Sequence, residues 1–103
     1  MSKLKGFQKK YLRGLAHRMK PVVLIGQRGL TDELIKSADQ ALETHELIKI
    51  KFNEFKEKDR KKEISENICK KTGAEIAGTI GHTVILYREQ KDPEKKKIFL
   101  PDR

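Results

Sequence analysis

A proline at position 21 separates two kinds of apolar pattern, and this break most constrains what the chain can fold into. Before it, Leu4, Phe7, Tyr11, Leu12, Leu15, Ala16 and Met19 recur at three- and four-residue spacing, which predicts an amphipathic helix over residues 4–19. At about 100° per residue these side chains fill one half of the helix, while Lys9, Lys10, Arg13, His17 and Lys20 gather on the other. After it come four consecutive apolar residues, Val22, Val23, Leu24 and Ile25. Pro21 cannot continue the helix, and a run without alternation predicts a covered central strand, apolar on both faces and ending at Gly26.

Thr31 is placed to cap a second helix, and Asp32 and Glu33 behind it suit the positive end of a helix dipole. Leu34, Ile35, Ala38, Ala41 and Leu42 give that helix an apolar stripe to about His45. Leu47, Ile48, Ile50 and Phe52 alternate with Lys49 and Lys51, which reads as a half-buried second strand with two lysines on its outer face. Residues 54–63 are almost all charged and read as a solvated loop before a third helix with Ile64, Ile68 and Cys69 inward, stopped at Gly73. Residues 74–80 and 83–88 form a hairpin around Gly81-His82. Residues 91–97 read as a charged tail or linker, and residues 98–100 offer a short edge strand that Pro101 closes. The order α-β-α-β-α-β-β predicts an α/β (α+β) fold in which one mixed four-stranded sheet is packed with helices. There is no internal repeat, and residues 1–100 form a single domain by this reading.

A chain of 103 residues can bury roughly two-thirds of the surface its unfolded form exposes. No apolar stretch approaches the roughly 20 residues of a membrane span, and the lysine-rich start lacks the apolar segment of a secretory signal, so a cytoplasmic protein is expected. Cys69 is the sole cysteine, and His17, His45 and His82 are widely spaced, which argues against a disulfide, a metal site or any other cofactor.

The net charge of +9 is unevenly spread. Residues 1–28 hold eight Lys or Arg and no Asp or Glu, residues 29–46 net −4, residues 47–71 net +4 and residues 72–103 net +1. So polarised a chain suits a polyanion better than a small substrate. The plainer alternative is a solubilising surface.

Gly26-Gln27-Arg28-Gly29 follows the first strand and precedes the second helix. Glycines let the backbone come close to a ligand, and amides at the next helix N-terminus favour an anion. KH domains use a GXXG loop on nucleic-acid backbone in this manner, and Arg28 adds a bidentate-capable donor. Taken alone the motif is equally a tight strand-to-helix turn. Its position after a basic helix lets the two form one positive surface. Nucleotide enzymes are excluded by the absence of GxGxxG and of a Gly-Lys-Ser/Thr ending. Phe7, Tyr11 and Phe52 sit at core spacing, whereas Phe55 in the charged loop is equally suited to packing or to stacking on a base. No nucleophile motif or carboxylate pair points to catalysis, and His17 reads as an RNA contact or an exposed residue.

The run from Gln8 to His17, QKKYLRGLAH, then Pro21-Val22-Val23 and Gly26-Gln27-Arg28-Gly29-Leu30-Thr31, resembles the YhbY family, the stand-alone bacterial form of the CRM (chloroplast RNA splicing and ribosome maturation) domain. The resemblance continues through Ala41-Leu42-Glu43, His45-Glu46-Leu47-Ile48-Lys49, Thr72-Gly73-Ala74, Ile80-Gly81 and Leu86-Tyr87-Arg88. It implies a fold like the C-terminal domain of translation initiation factor three, RNA binding through the GxxG loop, and association with large ribosomal subunit precursors. The expected protein is therefore a non-enzymatic monomer that binds ribosomal RNA through Lys9, Lys10, Arg13, His17, Lys20, Gly26, Gln27, Arg28 and Gly29. It is expected to use no metal, membrane or small-molecule substrate. The rival expectation is a protein adaptor whose acidic second helix docks a basic ribosome-associated partner.

Overall fold

A computed structural model describes residues 4–26, 28–53 and 58–102. Seven elements follow in the predicted order: α1 (Gly6–Ala16), β1 (Val23–Ile25), α2 (Asp32–His45), β2 (Leu47–Phe52), α3 (Lys58–Thr72), β3 (Glu75–Ile80) and β4 (Thr83–Tyr87). The strands make one mixed sheet in the order β1-β2-β4-β3, with β1 parallel to β2 and the other pairs antiparallel.

Helices cover both faces. Alternate residues of the strands, among them Val23, Ile25, Ile48, Ile50, Phe52, Val84 and Leu86, face α2 and α3 and pack with Ala38, Leu42, Ile64 and Ile68. On the opposite face Leu47, Ala77, Ile85 and Tyr87 lie under Leu12 and Ala16 of α1, with Leu4, Met19, Ile98 and Leu100 closing the edges. Thr31 caps α2 as its sequence predicts, its hydroxyl accepting from the Leu34 amide at 3.2 Å. Gly73 ends α3 with φ +77°. In the β3–β4 turn only Gly81 of the central pair has positive φ, +58°, the signature of a type II′ hairpin.

Four expectations change. β1 is an edge strand rather than a central one, since it pairs with β2 alone, and α1 packs on β3, β2 and β4 and leaves the outer face of β1 largely open. Val22 and Leu24 are accordingly 47% and 55% exposed. α1 is rotated from the arc its apolar residues define. Leu12 and Ala16 are buried, Lys9 and Arg13 half-buried, and Phe7, Tyr11 and Leu15 stand exposed along one side at i, i+4 and i+8. The helix turns toward Arg13 because β3 bulges between Ile76 and Gly78, where the Arg13 stem lies and its Nη1 donates to the Ala77 carbonyl at 3.3 Å. The charged segment from residue 58 is helix rather than loop, since Lys, Arg and Glu are strong helix formers and need no apolar stripe. Phe55 lies outside the described residues.

The fourth change concerns residues 89–102, which form neither a loose tail nor a strand. Glu46 is buried and takes φ +63°, a strained conformation for a residue with a side chain. Its carboxylate accepts from the amides of Gln90 (3.0 Å), Lys97 and Ile98 (2.9 Å), with Lys96 Nζ at 3.6 Å. Burial pushes this carboxyl up, but the three amides and the Lys96 ammonium outweigh it, leaving it below the ordinary carboxylate range. Gln8 fixes the other end, its Nε2 donating to the Pro101 carbonyl at 3.2 Å.

Candidate nucleic-acid interface

The strands bring one group of loops and termini to the same end of the sheet. The Asn53 amide donates to the Ile25 carbonyl and the Phe52 amide to the His82 carbonyl, both at 2.8 Å, so the ends of β1 and β2 meet the β3–β4 turn. The Gly29 amide donates to the Gly26 carbonyl at 3.0 Å, which closes GQRG as a four-residue turn. Gly29 is buried at φ +73° beside Arg60 Nη2 and Ile64 of α3, whereas Gly26 has φ outside the left-handed range and open space where a Cβ would stand. Arg28 is exposed between them, and Gln27 lies outside the described residues.

The turn thus uses one of its own amides internally. Asp32 and Glu33 already occupy the first turn of α2, so the helix dipole there faces two carboxylates. Positive charge at this end therefore comes chiefly from side chains around the turn. Those include Arg60, Lys61 with its Nζ 3.1 Å from His82 Nδ1, and exposed Lys51 at the end of β2. The sequence pattern places Lys51 on the outer face of its strand and points to neither Arg60 nor Lys61. Arg60 had a signal: it precedes Ile64 and Ile68 by one and two helical steps of four, so reading α3 back one turn places it on the inward stripe.

The helix residues divide. Lys10, His17 and Lys20 are exposed and Lys9 is half-buried, while Arg13 is committed to β3. Lys49 Nζ donates to the His17 carbonyl at 3.4 Å, tying the end of α1 to β2. The acidic α2 is also less free than its charge suggests. Arg88 binds the Asp39 carboxylate, the Asp39 carbonyl at 3.0 Å, Glu43 Oε2 at 3.2 Å and the Thr72 carbonyl at 2.8 Å. Among the described residues no group of three or more His, Cys, Asp or Glu is arranged to hold a metal ion, and no helix is long and apolar enough to cross a membrane.

Residues 4–88 match the CRS1 / YhbY (CRM) domain model. The chain belongs to the CRS1/YhbY (CRM) domain family. The chain is 40% identical to Probable RNA-binding protein YqeI of Bacillus subtilis over 98 residues, covering 95% of the chain and 99% of that relative. It is 41% identical over 101 residues to an RNA-binding protein of Haemophilus influenzae, covering 98% of each. It is also similar to the solution structure of a hypothetical protein from Staphylococcus aureus, named there as a candidate RNA binder. The TM-score is 0.76 and the identity 40%, over 95% of this chain and 99% of the other. The CRM match spans α1 to β4 and stops before the segment held by Glu46.

Proposed function

We propose that this chain is a non-enzymatic, monomeric RNA-binding protein of the cytoplasm that attaches to ribosomal RNA in large-subunit precursors. The observation that carries the reading is the gathering of the GQRG turn, Arg28, Arg60, Lys61 and Lys51 at one end of the sheet. Exposed Lys10 and Lys20, with half-buried Lys9, add positive charge along α1 and the segment after it, and His17 stands exposed among them. Gly26 leaves the backbone of the turn open to a phosphate, with Gln27 and Gly29 completing the proposed contact. RNA is favoured over other polyanions by the names of the relatives. The choice of large-subunit precursors rests on the resemblance to the stand-alone bacterial domain. The adaptor reading is disfavoured because Arg88 engages Asp39 and Glu43, and Glu46 is buried.

Neutralising about five phosphates makes affinity fall on the order of a hundredfold between roughly 50 and 200 mM salt. A titration of the purified protein with structured ribosomal RNA fragments across that range tests the grip, and a flat response would sink it. Sedimentation of the tagged protein with large-subunit precursors tests the target. Co-purification that survives complete RNA digestion would favour the adaptor instead.

A further inference from the structure

The sheet face that α1 leaves uncovered is built as one row. The strand registers pair Leu24 with Lys51, Lys51 with Thr83 and Thr83 with Ile80, so these four residues cross all four strands side by side. They point to the α1 side, because their alternate neighbours Ile25, Ile50 and Val84 belong to the opposite core. Leu24 is 55% and Ile80 59% exposed, and Lys51 is exposed between them. Val22 and Lys49 start the next row, which α1 then roofs at Ile85 and Gly78. Neither row contains an acid. The exposed row abuts both the GQRG turn, which starts two residues beyond Leu24, and the Gly81-His82 turn that follows Ile80.

We infer that this row is a platform for two or three unpaired nucleotides of the bound RNA, which makes the protein selective for single-stranded over duplex segments. The inference rests on the RNA-binding reading above. Its argument is complementarity of two kinds. Leu24 and Ile80 offer apolar surface to base faces, which only unpaired bases expose, and Lys51 lies between them for the phosphate or ribose edge. Three interstrand gaps give the row a length of about 14 Å. Other four-stranded modules seat two or three bases on such a face through aromatic side chains, a place that the apolar Leu24 and Ile80 take here. Arg28 and the GQRG turn then hold the backbone where the strand leaves the platform. A rigid duplex presents phosphates to the same cations but no base faces to Leu24 and Ile80.

The test compares an unstructured RNA of about 12 nucleotides with a duplex of equal length, by fluorescence anisotropy at one salt concentration, for the wild type and a Leu24→Ser/Ile80→Ser variant. Both substituted side chains are largely exposed, and a thermal melt checks the fold. The wild type is expected to bind the single strand several-fold more tightly, and the variant to lose several-fold on the single strand and little on the duplex. Photo-crosslinking of thiouridine-labelled RNA to the wild type is expected at peptides holding Leu24, Lys51 or Ile80. Equal or tighter binding of duplex, an unchanged preference in the variant, or crosslinks confined to α1 would each overturn the platform. A wild-type dimer dissolved by the variant would also overturn it, by making the row a self-interface. If the wild type binds neither RNA, the RNA-binding reading itself has failed. If it binds both and the variant changes nothing, only the platform has.

Discussion

Arg13 lies against Gly78 so closely that a Cβ on the glycine would come within 2.5 Å of the arginine Cδ. The guanidinium reaches past it to the Ala77 carbonyl in the bulge of β3. A residue expected to face RNA with its charge therefore also serves as the seam between α1 and the sheet, its aliphatic stem packed and its head partly engaged.

Substitutions in α1 should separate these roles. Arg13→Glu is expected to lower stability by about 1–2 kcal/mol, because the stem packing is lost and a carboxylate faces a carbonyl oxygen. Lys10→Glu, at an exposed site, should stay within about 0.5 kcal/mol of wild type. Both should weaken RNA binding, so chemical denaturation beside anisotropy distinguishes a lost contact from a loosened helix. Gly78→Ala should reproduce part of the stability loss by displacing Arg13.

The two glycines of the turn should behave differently. Gly29→Ala places a side chain at φ +73° and is expected to cost about 1–2 kcal/mol. Gly26→Ala meets open space at ordinary φ and should melt close to wild type. Gly26→Asp is thus the cleaner probe of the proposed grip. With the fold intact, affinity for structured RNA should drop several-fold, and an unchanged affinity would remove the turn from the interface.

Stability should depend on acid through Glu46. Its folded carboxyl sits below the ordinary 4.5, so its contribution is complete above that value and is lost as pH falls through the folded value beneath it. Glu46→Ala, which leaves three amides without their acceptor, should cost about 2–4 kcal/mol at pH 7. Thermal melts of wild type and variant at pH 7, 5 and about 3 should show that difference shrinking only in the last step.

The Tyr87 hydroxyl is buried and finds no hydrogen-bond partner among the described residues. Burial, with the charges of Glu46, Glu89 and Glu75, pushes the phenol up to about 12. Tyr87→Phe keeps the ring under α1 and removes the unpaired group, so it should raise stability by up to about 1 kcal/mol. A lower melting temperature would show that the hydroxyl has a partner in solution.

Much of this architecture is legible in local chemistry. The Thr31 cap, the Gly73 stop and the alternation of β2 mark their elements because each signal acts within a few residues. What escaped depends on which neighbour arrives. A run of four apolar residues looks the same on an edge strand as in a central one, and only the crossing of α1 leaves Leu24 bare. Phe7 and Tyr11 match core spacing, yet the bulge at Ala77 draws Arg13 inward and turns them out. Of the proposed contacts, the GQRG turn, Lys10 on α1 and Lys20 after it are visible in the sequence. Arg60 required the helical phase of a segment whose charge resembles a loop. Glu46 gave no signal, since nothing local distinguishes an acid that accepts amides from residues 44 to 52 positions later.

That acid also determines where this chain can be cut. A fragment ended at residue 88, the limit of the family match, would keep Glu46 in its strained position while removing the three amides that donate to its carboxylate and the Lys96 ammonium beside it. The residues after β4 are thus the other half of a buried joint, and a fragment that keeps that joint whole runs at least through Ile98.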